Sequence, residues 1–143
     1  MTPARRSAPP ACCEPPGGPP SQLLLAGDPQ SARAARVYVR EFVTHHVPDV
    51  SEDHLSDIAL VACELVTNAI RYGTAPGDSI LVVLSAEPGR TRIEVHDPCR
   101  RRPRPKPESE ERQRGRGLSI VRVLAARWGV DDRPFGKFVW AEL

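Results

Sequence analysis

The feature that most constrains how this chain folds is an unbroken helical pattern running from Ser51 to Tyr72. Taken at about 100° per residue from Leu55, the side chains of Ile58, Ala59, Ala62, Leu65, Val66, Ala69 and Ile70 fall within roughly 80° of it, giving one apolar face. Ser51 suits the N-cap, and Glu52 and Asp53 behind it complement the helix dipole. Gly73 follows as a natural left-handed C-cap. The pattern therefore predicts a helix over residues 51–72 with a buried stripe and a polar back.

That back is unusual. Glu64 and Asn68, four residues apart, stand together on the side away from Leu55. Leu60 and Val61 flank them, so the face reads as the wall of a cleft rather than open surface. A carboxylate and an amide oxygen one turn apart suit a general base beside a ligand for a hard cation. The same spacing also suits an ordinary polar face or a helix-stabilising pair, and spacing alone does not separate these readings.

The rest of the chain supplies the setting. Residues 1–20 hold seven of the sixteen prolines and almost no large apolar side chains. Burial cannot offset the ordering entropy of such a segment, so residues 1–21 are expected to form a disordered tail before one domain, 22–143. Gln22–Ala26 reads as a short strand closed by Gly27. Asp28-Pro29 opens a helix carrying Ala32, Ala35, Val39, Phe42, Val43 and His46 at helical spacing, and Pro48 closes it. The His45-His46 pair at its end is read as structural, favoured by the dipole, rather than as a metal or phosphoacceptor site. Ser79–Ala86 and Thr91–Asp97 then form a hairpin about Glu87-Pro88-Gly89-Arg90, and the second strand ends on the carboxylate of Asp97.

Periodicity vanishes from Pro98 to Arg114. Seven basic residues there are interleaved with four prolines and three acids, which reads as a long basic lid or insertion over 98–114. Gly115-Arg116-Gly117 ends it and leads into Leu118, Val121, Leu124, Ala125 and Trp128, again at helical spacing. Glycines just before a helix let backbone amides approach an anion, although Gly-x-Gly alone serves equally as a hinge. Trp128–Asp131 and Lys137–Leu143 read as a terminal hairpin around residues 132–136.

Composition narrows the function classes. The formal charge of +2 does not by itself imply a nucleic-acid partner. The basic 100–116 segment lacks aromatics for base stacking, and its prolines exclude a recognition helix, so no direct nucleic-acid binding is expected. The four cysteines show no paired C-x-x-C spacing, which indicates neither a zinc site nor a disulfide framework. No apolar run is long enough to cross a membrane, so a cytoplasmic chain without a membrane partner is expected.

Strand, helix, helix, hairpin, basic lid, glycine turn, helix, hairpin: this order, with polar motifs at three junctions, resembles the Bergerat ATP-binding fold of the GHKL superfamily. It is most similar to the bacterial anti-sigma factor serine kinases, over about residues 22–143. Glu64-Leu-Val-Thr-Asn68-Ala-Ile-Arg-Tyr-Gly73 is similar to that group's N box at all ten positions. Asp97 stands where the first glycine box places the carboxylate that recognises the adenine amine, and Gly115-Arg116-Gly117-Leu118-Ser119 resembles the second box. Two departures stand out. The first box normally continues Asp-x-Gly, whereas this chain reads Asp97-Pro98-Cys99. The last strand often carries a Thr near the adenine, where this chain has Lys137-Phe138.

The resemblance implies an α+β fold: a two-layer sandwich with a mixed, mostly antiparallel sheet and helices on one face. It implies ATP and Mg2+ as cofactors, with Asn68 giving an oxygen to Mg2+. Asp97 would accept from the adenine amine, and backbone amides around Gly115, Gly117 and Leu118 would cradle the phosphates beside Arg116. Glu64 would be the general base toward a serine of a partner protein. The implied partners are a sigma factor and an anti-sigma factor antagonist, with pairing of two copies through the sheet edge or first helix. Set against this stand a nucleotide-independent partner-binding switch of the same fold, favoured by Cys99 and Phe138, and a sensor histidine kinase fragment. The latter is the less expected, since no helical hairpin with a phosphoacceptor His is read ahead of the domain in this sequence.

Overall fold

The computed structural model describes residues 17–99 and 118–143. Its elements are β1 (Gln22–Ala26), α1 (Gln30–His46), α2 (Glu52–Gly73), β2 (Ser79–Glu87), β3 (Arg90–Asp97), β4 (Arg127–Arg133) and β5 (Gly136–Glu142). A further helix, α3, is described over residues 118–124. The expected lid, 98–114, and the glycine turn at 115–117 lie almost wholly outside the described residues.

The strands form one sheet in the order β1-β2-β3-β5-β4. All four pairings are antiparallel, so the sheet is simpler than the mixed one expected. Ile80, Val82, Leu84, Ile93, Val95 and Ala141 alternate onto one face, where they meet α1 and α2. Val39, Val43, Ile58, Leu65, Val66 and Val121 complete this core from the helical side. The result is the α+β sandwich expected, with one sheet face covered and the other carrying Arg92, Glu94, His96, Phe138, Trp140 and Glu142.

Local chemistry explains most boundaries. The N-cap of α1 is Pro29, one residue later than expected, and its side chain makes no capping bond; the Gln30 amide donates instead to Asp28 Oδ1 at 3.0 Å, so Asp28 still supplies an acceptor at the helix start. The His54 amide donates to Ser51 Oγ at 3.2 Å, capping α2. The β2–β3 turn has Gly89 at φ +81°, the left-handed conformation that favours glycine.

Three expectations are corrected. Gly73 is not a left-handed cap: it is the last residue of α2, and only Gly17, Gly77 and Gly89 have positive φ among the described residues. Thr74 is extended instead, and its hydroxyl donates to the Ile70 carbonyl at 2.7 Å, taking up one group the helix end leaves unpaired. Trp128 belongs to β4, opposite Ala141, because the helical run stops at Leu124. The β4–β5 turn is shorter than residues 132–136, since strand pairing continues to Arg133 and Gly136. Just ahead of β1, Pro20 and Ser21 also bond to α1 and to β2. The Tyr38 hydroxyl donates to the Pro20 carbonyl, and the Leu84 amide to the Ser21 carbonyl at 2.8 Å. Burial pushes the Tyr38 phenol up to about 12, which keeps it a donor at any ordinary pH.

Candidate functional site

The α2 face read as a cleft wall is less simple than a stripe and a back. Val61, assigned to the polar side by the helical count, is fully buried along with Ile58, Ala62, Leu65 and Val66. The reason is that α2 packs both on α1 and on the sheet, so its apolar arc is broader than a single stripe. Glu64 and Asn68 sit at the border of that arc and are half-buried. Neither makes a side-chain hydrogen bond or ion pair among the described residues. Leu60, by contrast, is exposed. This edge of α2 therefore presents a carboxylate and an amide that are partly desolvated and uncommitted.

Asp97 is the opposite case. As the last residue of β3 it points to the helical side, in alternation with Val95 and Ile93, and it is buried. The end of α2 closes over it: a Cβ on Gly73 would lie 2.4 Å from Asp97 Cγ. Gly73 is thus required for close approach, not for its backbone angles. Gly136 packs on the backbone of the same residue rather than on its carboxylate: a Cβ there would lie 2.0 Å from the Asp97 carbonyl oxygen.

The carboxylate does not stand alone in this enclosure. Lys137, opposite Asp97 in the β3–β5 register, donates from Nζ to Oδ1 at 2.9 Å and to Oδ2 at 3.0 Å. The same ammonium donates to the Cys99 carbonyl at 3.2 Å, and the Cys99 amide donates to Asp97 Oδ1 at 2.8 Å. The side chains of Lys137 and Asp97 are only 5% and 2% exposed. Burial pushes the Asp97 carboxyl above its ordinary value, against the Lys137 ammonium and the Cys99 amide, which favour its ionised form.

Of the residues singled out in the sequence, Glu64 and Asn68 share one helix edge, and Asp97 lies against the C-terminal end of the same helix. Leu118 is the first described residue of α3 and is half-buried. Gly115, Arg116 and Gly117 lie outside the described residues. Phe138 faces the uncovered side of the sheet and stacks on His96, with ring centroids 4.6 Å apart. Of the two residues that depart from the expected last strand, Lys137 is therefore the one that meets Asp97. The Cys99 contacts to Asp97 and Lys137 run through its backbone. The Lys137–Asp97 pair itself was missed in the sequence, because residues 98–135, with α3 and β4 among them, separate its two strands. The pairing of the last strand with β3 rather than only with β4 is what brings them together.

Residues 25–143 match the family described as the histidine kinase-like ATPase domain. The chain belongs to that family. A crystal structure of the RsbU and RsbW domains of Rv1364c from Mycobacterium tuberculosis shares the fold, with a TM-score of 0.58 at 20% identity. The alignment covers 85% of this chain and 31% of that one, so the chain spans about a third of the length of that structure. No curated protein matches the sequence significantly.

Family membership makes ATP, usually with Mg2+, the group to test against these residues. The α2 edge fits: an amide oxygen and a carboxylate, both without partners among the described residues, suit a hard cation and a proton acceptor. The Asp97 end, as it stands, does not. Both carboxylate oxygens already accept from Lys137, one also accepts from Cys99, and burial against Gly73 leaves the group almost wholly out of contact with solvent.

Proposed function

We propose that this chain is an anti-sigma factor-type protein serine kinase domain, which phosphorylates an antagonist protein and sequesters a sigma factor. The observation that carries the reading is the uncommitted, half-buried Glu64 beside Asn68 on α2, within an N-box sequence similar to that group's at all ten positions. The shared fold with a structure containing an RsbW domain supports the same assignment.

ATP supplies the transferable phosphoryl group when bound. Asn68 would offer its side-chain oxygen to Mg2+. Glu64 takes the proton from the serine hydroxyl of the antagonist, and its partial burial beside Val61 and Leu65 suits a base that works out of bulk water. Such transfer depends chiefly on positioning and charge neutralisation, with the base adding about 10²–10⁴-fold. The glycines 115 and 117, with Arg116 and Leu118, are assigned the phosphate end on sequence alone.

The test is transfer of labelled phosphate from ATP to candidate antagonist and sigma-factor-associated proteins. Glu64→Ala is expected to lower transfer at least 100-fold while leaving ATP binding within a factor of two. Undiminished transfer removes Glu64 from the role of base.

One observation favours a second reading, a partner-binding switch of the same fold that works without nucleotide. Asp97 is saturated by this chain's own groups, and a protein that never accepts an adenine amine has no need of a free carboxylate there. Calorimetry with Mg-ATP separates the two readings, since no heat at millimolar nucleotide leaves only the switch.

A further inference from the structure

Lys137 occupies an unusual position in the sheet. On β3 its register partner is Asp97, and on β4 its register partner is Asp132. One lysine on a central strand is thus aligned with a carboxylate on each side. Cross-strand partners share a face of the sheet with their Cβ atoms roughly 5 Å apart, so both carboxylates are within the span of a four-carbon stem. The two differ in setting. Asp97 is buried under Gly73, whereas Asp132 is exposed at the outer strand. The ammonium is found on Asp97, where it supplies N–H donors to both carboxylate oxygens.

An exocyclic amine of a purine would donate to the same carboxylate in the same way. We propose that Lys137 is a built-in plug for Asp97: its ammonium takes the place of a ligand amine, and an aminopurine nucleotide engages Asp97 only when Lys137 withdraws toward Asp132. The proposal rests on the nucleotide-binding reading of the site and adds a residue that sets its affinity. In the plugged state Asp97 keeps a charge partner despite its burial, so the enclosure is stable without ligand. In the withdrawn state the lysine joins Asp132, which already has an interaction of its own, at the surface. The ligand's differential affinity for the two arrangements is what shifts the balance between them. Nucleotide binding is accordingly weakened by the fraction of molecules that are plugged.

The test uses the full chain and two readouts. Calorimetry with Mg-ATP is run on the wild type and on Lys137→Met, whose folding is checked by its thermal transition. The expected result is at least tenfold tighter binding by Lys137→Met. Equal affinity overturns the plug and leaves the nucleotide reading intact. No binding by either folded protein at millimolar Mg-ATP removes the nucleotide reading, and the plug with it.

Should Lys137→Met not fold, amine acylation of the wild type read by peptide mass spectrometry decides. The chain has two lysines, Lys106 and Lys137, so Lys106 is an internal reference. Lys137 is expected to be protected relative to Lys106 without nucleotide and to gain reactivity severalfold with Mg-ATP. Reactivity equal to Lys106 without nucleotide, or protection unchanged at the highest Mg-ATP used, overturns the proposal.

Discussion

The α2 edge at Glu64 and Asn68 and the strand end at Asp97 carry the same kind of chemistry in opposite states. Both place a carboxylate near the helix–sheet core. At the α2 edge the polar groups are half-buried and make no bond among the described residues, so they are available for an outside partner. At the strand end the carboxylate lies against Gly73 and is consumed by Lys137 and Cys99. A polar group that a protein keeps unsatisfied costs stability, and one that it satisfies internally is withdrawn from ligands. The two regions fall on opposite sides of that choice.

Stability measurements test this difference directly. The largest effect is expected at the saturated end. Lys137→Met, which leaves Asp97 buried without its partner, is predicted to cost about 3–5 kcal/mol in urea denaturation. Replacing both charges, as Asp97→Leu with Lys137→Met, should recover most of that loss. Equal losses in the single and double variants would mean that packing, not charge, holds this end together. Next in size is Gly73→Ala. Its added methyl meets Asp97 Cγ at 2.4 Å, and forcing the helix end away is predicted to cost about 1–3 kcal/mol. A neutral result there shows that the enclosure is looser than described.

A smaller effect is expected on the uncovered face of the sheet. Glu142 accepts from Arg90 at 2.7 Å, Arg127 at 2.6 Å and Arg92 at 3.0 Å. The Arg90 and Arg127 guanidinium groups, helped by Arg92, hold its carboxyl down at about 2, from an ordinary 4.5. Because the folded value is the lower one, the stabilisation is complete above about pH 4.5 and is lost as pH falls through about 2. Glu142→Gln should therefore flatten the acid limb of stability across that window. An unchanged limb assigns acid sensitivity to other carboxylates. Smallest of all are Glu64→Gln and Asn68→Ala, which should each change stability by less than about 0.5 kcal/mol. A larger loss at either would show that the α2 edge is structural.

Much of the fold was legible because its signals are local. The α1 start at Asp28, the Ser51 cap and the β2–β3 turn at Gly89 each depend on residues within a few positions. The polar pair on α2 was equally readable, since one turn of helix fixes where Glu64 and Asn68 stand relative to each other. What escaped was set by partners distant in sequence. Gly73 carries the signature of a cap, yet its lack of a side chain serves Asp97, which lies on another element. Val61 was placed with the polar residues because a helical wheel assumes one neighbour, and α2 has two. Lys137 was noticed only as a departure from an expected Thr, since its role depends on the register between β3 and β5. The residues around Gly115 and Gly117 were assigned from sequence and lie outside the described structure.

The strand order has a consequence for how this chain is made. β5, which follows β4 in sequence, lies between β3 and β4 rather than at an edge of the described sheet. Until residues 136–142 have left the ribosome, β3 has a partner only on its β2 side, and Asp97 has no lysine beside it. The half-built sheet thus exposes a strand edge whose backbone groups are open to wrong partners. Such non-local closure is intrinsically slow. Synthesis interrupted within the β4–β5 turn would leave a chain with both of its long helices but no complete sheet for them to cover, a species for chaperones to hold.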